Sequence, residues 1–308
     1  MATAVNGENH YDRAEEVKRF DALKIGVKGL VDSGLTTIPR FFVHPPETLS
    51  DLKTKPNRAF HEQPTDVKAK FYIREMPTGV NFFSNIDLFH SKAASWRDTL
   101  QVKLGPTPPE LENIPEVCRD EVVEWNKQSE ALGERLMGLL SEGLGLDADR
   151  LKNITCLEAR MMVGHYYPHC PQPDLTVGIA SHTDPGVLTV LLQDHIGGLH
   201  IKHEGDWVDV EPVHGALVVN IGDILQILSN DEYTSVEHRV LANPSREPRV
   251  STAVFFNPSA TEALYGPFSE LTSPEKPPRY RQFIHQDYMK MFLTKELGGK
   301  TLTNCYRM

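Results

Sequence analysis

Between Leu157 and Asn257 the sequence breaks into eight short runs rich in β-branched and aromatic residues, at 158–167, 176–182, 187–193, 198–202, 206–210, 216–221, 235–242 and 249–257. Gly, Pro, Asn and Asp fill the gaps between them. Runs this short and this regularly punctuated read as strands joined by turns, because helices need longer periodic stretches. Consecutive strands without intervening helices bury their faces on one another as a sandwich or barrel, which excludes alternating βαβ units. A jelly roll is one form of that solution, and it brings strands distant in sequence over one cavity. The expected fold is therefore mainly β with flanking helices around a jelly-roll core. Its expected divisions are a helix-rich region over 1–150, the core over 151–260 and a helical tail over 261–308.

The flanks carry the other period. Val17, Phe20, Leu23, Ile25, Val27 and Leu30 fall at helical spacing within 11–35. Residues 36–56 form a connector containing His44-Pro45-Pro46, and a second helix is expected from Asn57 through Glu62. Pro64-Thr65-Asp66 reads as a break and an N-cap opening a short helix through Phe71. A proline-rich loop covers 105–116. The longest helix is expected from about Pro115 to Gly143, with Val122, Val123, Leu132, Leu136, Met137, Leu139 and Leu140 as its buried stripe. After Pro274 helical spacing returns through Tyr280, Phe283, Ile284, Tyr288, Met291, Phe292 and Leu297.

Within the β-rich part lies a set of residues with chemistry. His182 and Asp184 are separated by one residue, His238 follows 54 positions after Asp184, Arg249 comes 11 positions later, and Ser251 two after that. Residues i and i+2 of a strand share a face, so His182 and Asp184 can bind one ion together. Two imidazoles and one carboxylate with open positions favour non-haem Fe(II) oxygenase chemistry. Zinc accepts the same ligands, but a zinc hydrolase needs an evident general base rather than a second carboxylate anchor. Arg249 and Ser251 offer such an anchor: a fork of donors and a hydroxyl on one strand face.

The net charge of -10 over 308 residues argues against nucleic acid, whose phosphates select clustered Lys and Arg. No apolar run approaches the roughly 18 residues of a membrane helix. The first residues, MATAVNGENHYDRAEEVKRF, lack the basic and apolar segments of a secretory signal. Cys118, Cys156, Cys170 and Cys305 are scattered without a CxxC pair, which fits thiols in a reducing, cytoplasmic setting.

The stretches HYYPHCPQPDLTVGIASHTDPGVLTVLLQDHIGGLHI, DWVDVEPVHGALVVNIGDILQILSNDEYTSVEHRVLAN and RVSTAVFFNP resemble the plant soluble 2-oxoglutarate- and Fe(II)-dependent dioxygenases. YDRAEEVKRFDALKIGVKGLVDSGL and NFFSNIDLFHSKAASWRDTL resemble the subgroup named 1-aminocyclopropane-1-carboxylate oxidase homologs. The resemblance implies a double-stranded β-helix in which His182, Asp184 and His238 hold Fe(II). It further implies that Arg249 and Ser251 hold the far carboxylate of 2-oxoglutarate, with Tyr167 adding a hydrogen bond from the place of a tyrosine in the family's NYYP motif. His165 stands where the family usually has Asn; it can donate one hydrogen bond, or alter pH response and co-substrate grip. Phe255 matches a position that lines the substrate pocket, with core packing as the competing reading. Asn220, Gly222 and Asp223 resemble fold-supporting residues. Tyr288 and Phe292 of the last helix either cover the mouth or pack on the barrel.

The implied reaction uses Fe(II), 2-oxoglutarate and O2 to hydroxylate, demethylate or desaturate a small plant specialised metabolite, with ascorbate as reductant and a monomer as the working form. Ethylene formation from 1-aminocyclopropane-1-carboxylate is a minor alternative. One departure from the family is large. A strand of IPVIDL type and a GFFxxxNHG strand are absent, and Lys53-Thr54-Lys55-Pro56 runs straight into Asn57-Arg58-Ala59-Phe60. An internally shortened chain of this kind is expected to expose a strand edge and apolar surface, and a catalytically inactive or binding-only form is the second reading.

Overall fold

The computed structural model describes residues 11–43, 59–75, 77–86, 88–89, 91–294 and 301–308. The motif His44-Pro45-Pro46, the junction at 53–58, the expected helix start at Asn57 and Leu297 lie outside the described residues. In chain order the regular elements begin with α1 (Arg13–Leu23), α2 (Gly26–Asp32), α3 (Thr65–Ala69), β1 (Val80–Phe83), β2 (Asp98–Lys103) and α4 (Arg119–Gly143). Next come β3 (Ala159–Tyr167), β4 (Val177–His182), β5 (Leu188–Gln193), β6 (Leu199–His203), β7 (Asp206–Asp209), β8 (Val218–Ile221), α5 (Asp223–Leu228), β9 (His238–Leu241) and β10 (Arg249–Asn257). The chain closes with β11 (Leu264–Tyr265), β12 (Phe283–Ile284), α6 (His285–Thr294) and α7 (Thr301–Asn304).

All eight expected core strands form, as β3 to β10. With β1 and β2 they build two antiparallel sheets: six strands in the order β1-β2-β3-β10-β5-β8, and four in the order β4-β9-β6-β7. Strand alternation assigns the two faces of the larger sheet. Leu191 and Ala253 point inward, where they meet Ile179, Leu199 and Val240 of the smaller sheet in a buried cluster with Tyr167. Leu100, Met162, Val190, Val254 and Phe256 point outward into the largest core, which α4, α5 and the tail cover. This is a double-stranded β-helix with helices on its outer face.

Three local expectations need correction. The region expected to be helix-rich contributes β1 and β2, which extend the six-stranded sheet through the pairs Leu100↔Gly164 and Phe82↔Leu100. The helix expected over 11–35 is two helices, because Lys24 (φ 53°) and Gly26 (φ 68°) are left-handed. Buried Asp98 fixes the break by accepting the amides of Val27 at 2.6 Å and Lys28 at 2.8 Å, at the start of α2. In α4, Val123 and Leu139 face solvent, while Ser129, Gly133 and Ser141 join Val122 and Met137 on the buried side. A Cβ at Gly133 would lie 2.5 Å from the Phe256 ring, so small residues let the helix approach the sheet.

At the tail, Phe283 and Ile284 form β12, and α6 starts only at His285. Its end is tied back through Asp231, which binds Arg307 at 2.7 Å and Arg279 at 3.1 Å. No helix among the described residues is long and apolar enough to cross a membrane.

Candidate active site

His182 ends β4 and His238 begins β9, and the two are directly paired across the strands with ring centroids 4.3 Å apart. The Nδ1 of His182 lies 2.9 Å from the carbonyl of Ala180, and that of His238 lies 3.1 Å from the carbonyl of Val236. A carbonyl only accepts, so each Nδ1 carries a proton and Nε2 is the ring atom left to meet a metal. Those Nε2 atoms lie 3.8 Å and 3.6 Å from Oδ1 of Asp184. The other carboxylate oxygen, Oδ2, accepts a 2.6 Å hydrogen bond from the Thr189 hydroxyl.

Three donor atoms within 4.8 Å of one another therefore converge on one point, each turned there by a backbone or hydroxyl contact behind it. Asp184 and His238 are buried and His182 is half-buried. Burial, followed by the neighbouring His238, holds the His182 imidazole below its usual range, so it is neutral, with a lone pair at its free nitrogen. Two imidazoles, one carboxylate and an open side fit a divalent iron.

Arg249 and Ser251 follow from β10 alternation, both facing inward and both buried. The guanidinium donates to the Gly197 carbonyl from Nε at 2.7 Å, to Ser251 Oγ from Nη1 at 3.2 Å and to Gln193 Oε1 from Nη2 at 3.0 Å. It also lies over the Tyr167 ring, 4.9 Å from the centroid. Each terminal nitrogen has a second N–H, so a carboxylate can be gripped in two places by a group that is already held still. Tyr167 is fully buried opposite Arg249 in the register, and His165 sits opposite Ser251. His165 places Nδ1 3.1 Å from the Thr99 hydroxyl. Burial, then the charges of Arg97, Arg249 and His182, press its pKa well below the usual value, so it faces the site as a neutral imidazole.

A cavity of about 370 Å³ opens on the His182–Asp184 side and is within the size of a small-molecule site. Phe255 lines it, as do Met161, Val163 and Ile179 from the strands. From α6 come Met289, Phe292 and Leu293. The two readings of α6 thus divide between its residues. Phe292 closes the cavity, whereas Tyr288 is fully buried beneath it and donates to Asp223 at 3.1 Å. Arg97, Thr99 and Gln101 also line the cavity and were not singled out by sequence. Their signal was the period-2 alternation with Asp98, Leu100 and Val102, which marks a strand with one polar face.

The family description "2OG-Fe(II) oxygenase superfamily" matches residues 158–258. The chain is 44% identical to 1-aminocyclopropane-1-carboxylate oxidase homolog 4 of Arabidopsis thaliana over 342 residues, covering 94% of this chain and 97% of the relative. That alignment is longer than the 308-residue chain, so the relative carries residues with no counterpart here. Among solved structures, JOX2 in complex with 2OG, Fe and JA superposes with a TM-score of 0.75 at 25% identity, covering 92% of this chain and 97% of that one. The rice dioxygenase for auxin oxidation shares the fold at a TM-score of 0.66 and 24% identity, over 96% and 95% of the two chains. The chain belongs to the 2OG-Fe(II) oxygenase superfamily, as a dioxygenase that works with Fe(II) and 2-oxoglutarate.

Proposed function

We propose that His182, Asp184 and His238 are the iron ligands, that Arg249 and Ser251 anchor the far carboxylate of 2-oxoglutarate with help from Tyr167 and His165, and that Phe255 contacts a small plant specialised metabolite. The observation that carries this reading is the convergence of two Nε2 atoms and one carboxylate oxygen beside a pre-positioned guanidinium. Bound there, iron supplies oxygen activation coupled to oxidative decarboxylation of 2-oxoglutarate to succinate, ending in hydroxylation, demethylation or desaturation.

The residues of the chain supply position. Ala180, Val236 and Thr189 aim the ligands, Gly197 and Gln193 aim the guanidinium, and the apolar wall with Phe292 limits water at the reacting carbon. Every one of these groups comes from one chain, which supports a monomer as the working form. Ascorbate as reductant and a cytoplasmic location belong to the same reading. What supports an active enzyme over an inert shortened form is that the ligand set and the anchor are complete despite the residues the relatives have in addition.

The test is succinate formation from 2-oxoglutarate by purified protein with Fe(II) and ascorbate, which proceeds without knowing the metabolite. Monodisperse protein that binds iron yet makes no succinate would defeat the proposal.

A further inference from the structure

The inward face of β3 carries Met161, Val163 and His165, because Met162 points the other way, into the outer core. In the register Met161 stands opposite Phe255, and Phe255 stands opposite Thr189, whose hydroxyl holds Asp184. Met161 is thus two strand spacings, of about 4.8 Å each, from the residue that aims the carboxylate. A second wall of the cavity comes from α6, which contributes Met289 beside Phe292 and Leu293. Among the described residues that line this cavity, Met161 and Met289 carry the sulfur atoms, and they share it with His182 and Asp184.

The apolar remainder of the lining, including Phe83, Val163, Ile179, Phe255 and Phe292, offers only carbon to an oxidant. Oxidising carbon breaks a C–H bond or disturbs an aromatic ring. A thioether instead accepts an oxygen atom on a sulfur lone pair, with no bond broken. Methionine is also unbranched, with three rotatable bonds, so its sulfur can turn toward the metal end of the cavity. When no organic substrate fills the space, these two thioethers are the most easily oxidised side chains in its apolar wall.

Resting on the oxygenase reading above, we propose that Met161 and Met289 are sites of self-oxidation, each taking one oxygen atom when 2-oxoglutarate turns over without an organic substrate. The step balances with reactants that the reaction already uses. Sulfur supplies two electrons and 2-oxoglutarate two, and O2 is reduced. One oxygen atom ends on sulfur and the other in the new carboxylate of succinate, carbon dioxide leaves, and no proton is taken up or released. The product, methionine sulfoxide, places a polar, chiral group in an apolar wall. Idle turnover thereby weakens the cavity for an apolar substrate, and reduction of the sulfoxide restores it.

The experiment is mass spectrometry of wild-type protein after turnover with Fe(II), 2-oxoglutarate and isotopically heavy O2, with catalase present and no organic substrate. Fragment ions locate the added oxygen, and two other methionines serve as controls. Met308 is 71% exposed, and Met162 is the chain neighbour of Met161 but faces the outer core. The expected result is a gain of about 18 Da, one heavy oxygen atom, at Met161 or Met289, ahead of Met308 and absent from Met162. Omitting 2-oxoglutarate is expected to abolish it. Oxidation led by Met308, or a gain that persists without 2-oxoglutarate, would be ordinary surface oxidation and overturn the proposal. Succinate formation that leaves both Met161 and Met289 unmodified would overturn it as well. Protein that makes no succinate would instead defeat the oxygenase reading, and this assignment with it.

Discussion

Thr189 decides which oxygen of Asp184 is left for a metal, since its hydroxyl takes Oδ2 at 2.6 Å and leaves Oδ1 facing both Nε2 atoms. Thr189→Val keeps the shape and all three donor atoms but frees the carboxylate to rotate. Fe(II) or Ni(II) affinity is expected to fall by about 10- to 100-fold, the usual cost of losing a contact behind a ligand. Unchanged affinity in a metal titration would show that the strand alone orients Asp184. Arg249 makes the complementary case for fork geometry. Its Nε and both terminal nitrogens are engaged, so Arg249→Lys retains charge and loses the two-point grip. The KM for 2-oxoglutarate is expected to rise roughly tenfold or more while metal affinity holds, because a charged hydrogen bond of about 1.5–3 kcal/mol is lost. A variant with wild-type KM would mean that point charge suffices. At this scale the convergence of His182, Asp184 and His238 and the shared face of Arg249 and Ser251 were legible, because both follow from strand alternation. Arg97 was not, since an arginine beside an aspartate reads as surface charge until Asp98 is seen holding the amides of α2.

The same logic explains which elements could be read. The strands β3 to β10 were legible because each short apolar run ends at a turn residue, whereas β1 and β2 carry buried polar residues. Asn81, Ser84, Asp98 and Thr99 are all 1% exposed or less, serving contacts and a cavity that no local pattern reveals. Likewise α1 and α2 looked continuous because the contact that separates them comes from a residue more than 60 positions away. Between elements, Asp223 at the start of α5 joins the segment after β4 to α6, accepting from Thr183 at 3.0 Å and Tyr288 at 3.1 Å. Burial pushes its carboxyl up from 3.8 to about 6, against the pull of the hydrogen bonds from Thr183 and Tyr288. A folded-state value above the unfolded one means that the native state binds the proton more tightly. Its contribution is full below about pH 4 and is lost as pH rises through about 6. Asp223→Asn stays neutral throughout and keeps an acceptor for both donors. The variant is expected to be more stable than wild type at pH 7.5 by on the order of 2 kcal/mol, and the two to converge toward pH 4. Thermal unfolding at matched pH measures this, and an equal loss at both ends would show that the charge is not what matters.

For the whole molecule the unusual feature is an open margin. The six-stranded sheet ends at β8, which pairs only with β5 among the described residues. Val219 is 43% exposed there and Leu192, on the same outer face, is 42% exposed. Beside them a groove of about 560 Å³ runs under Phe60, Trp125 and Met162. Relatives carry residues that this chain lacks, and an unpaired strand beside apolar surface is a template for pairing with another chain. On the expectation of an exposed edge, the chain should associate as its concentration rises. Its net charge of -10 opposes that approach, so added salt should strengthen association by screening the repulsion. Val219 pairs with Val190, whose side chain points into the outer core, so the position lies on the face away from His182, Asp184 and His238. Val219→Lys should therefore shift the weight-average mass toward monomer without changing metal affinity. Sedimentation across concentration and salt reads both effects. A wild type that stays monomeric at every salt concentration would show that the margin is already satisfied, and a drop in metal affinity for Val219→Lys would show that the outer face and the site are coupled.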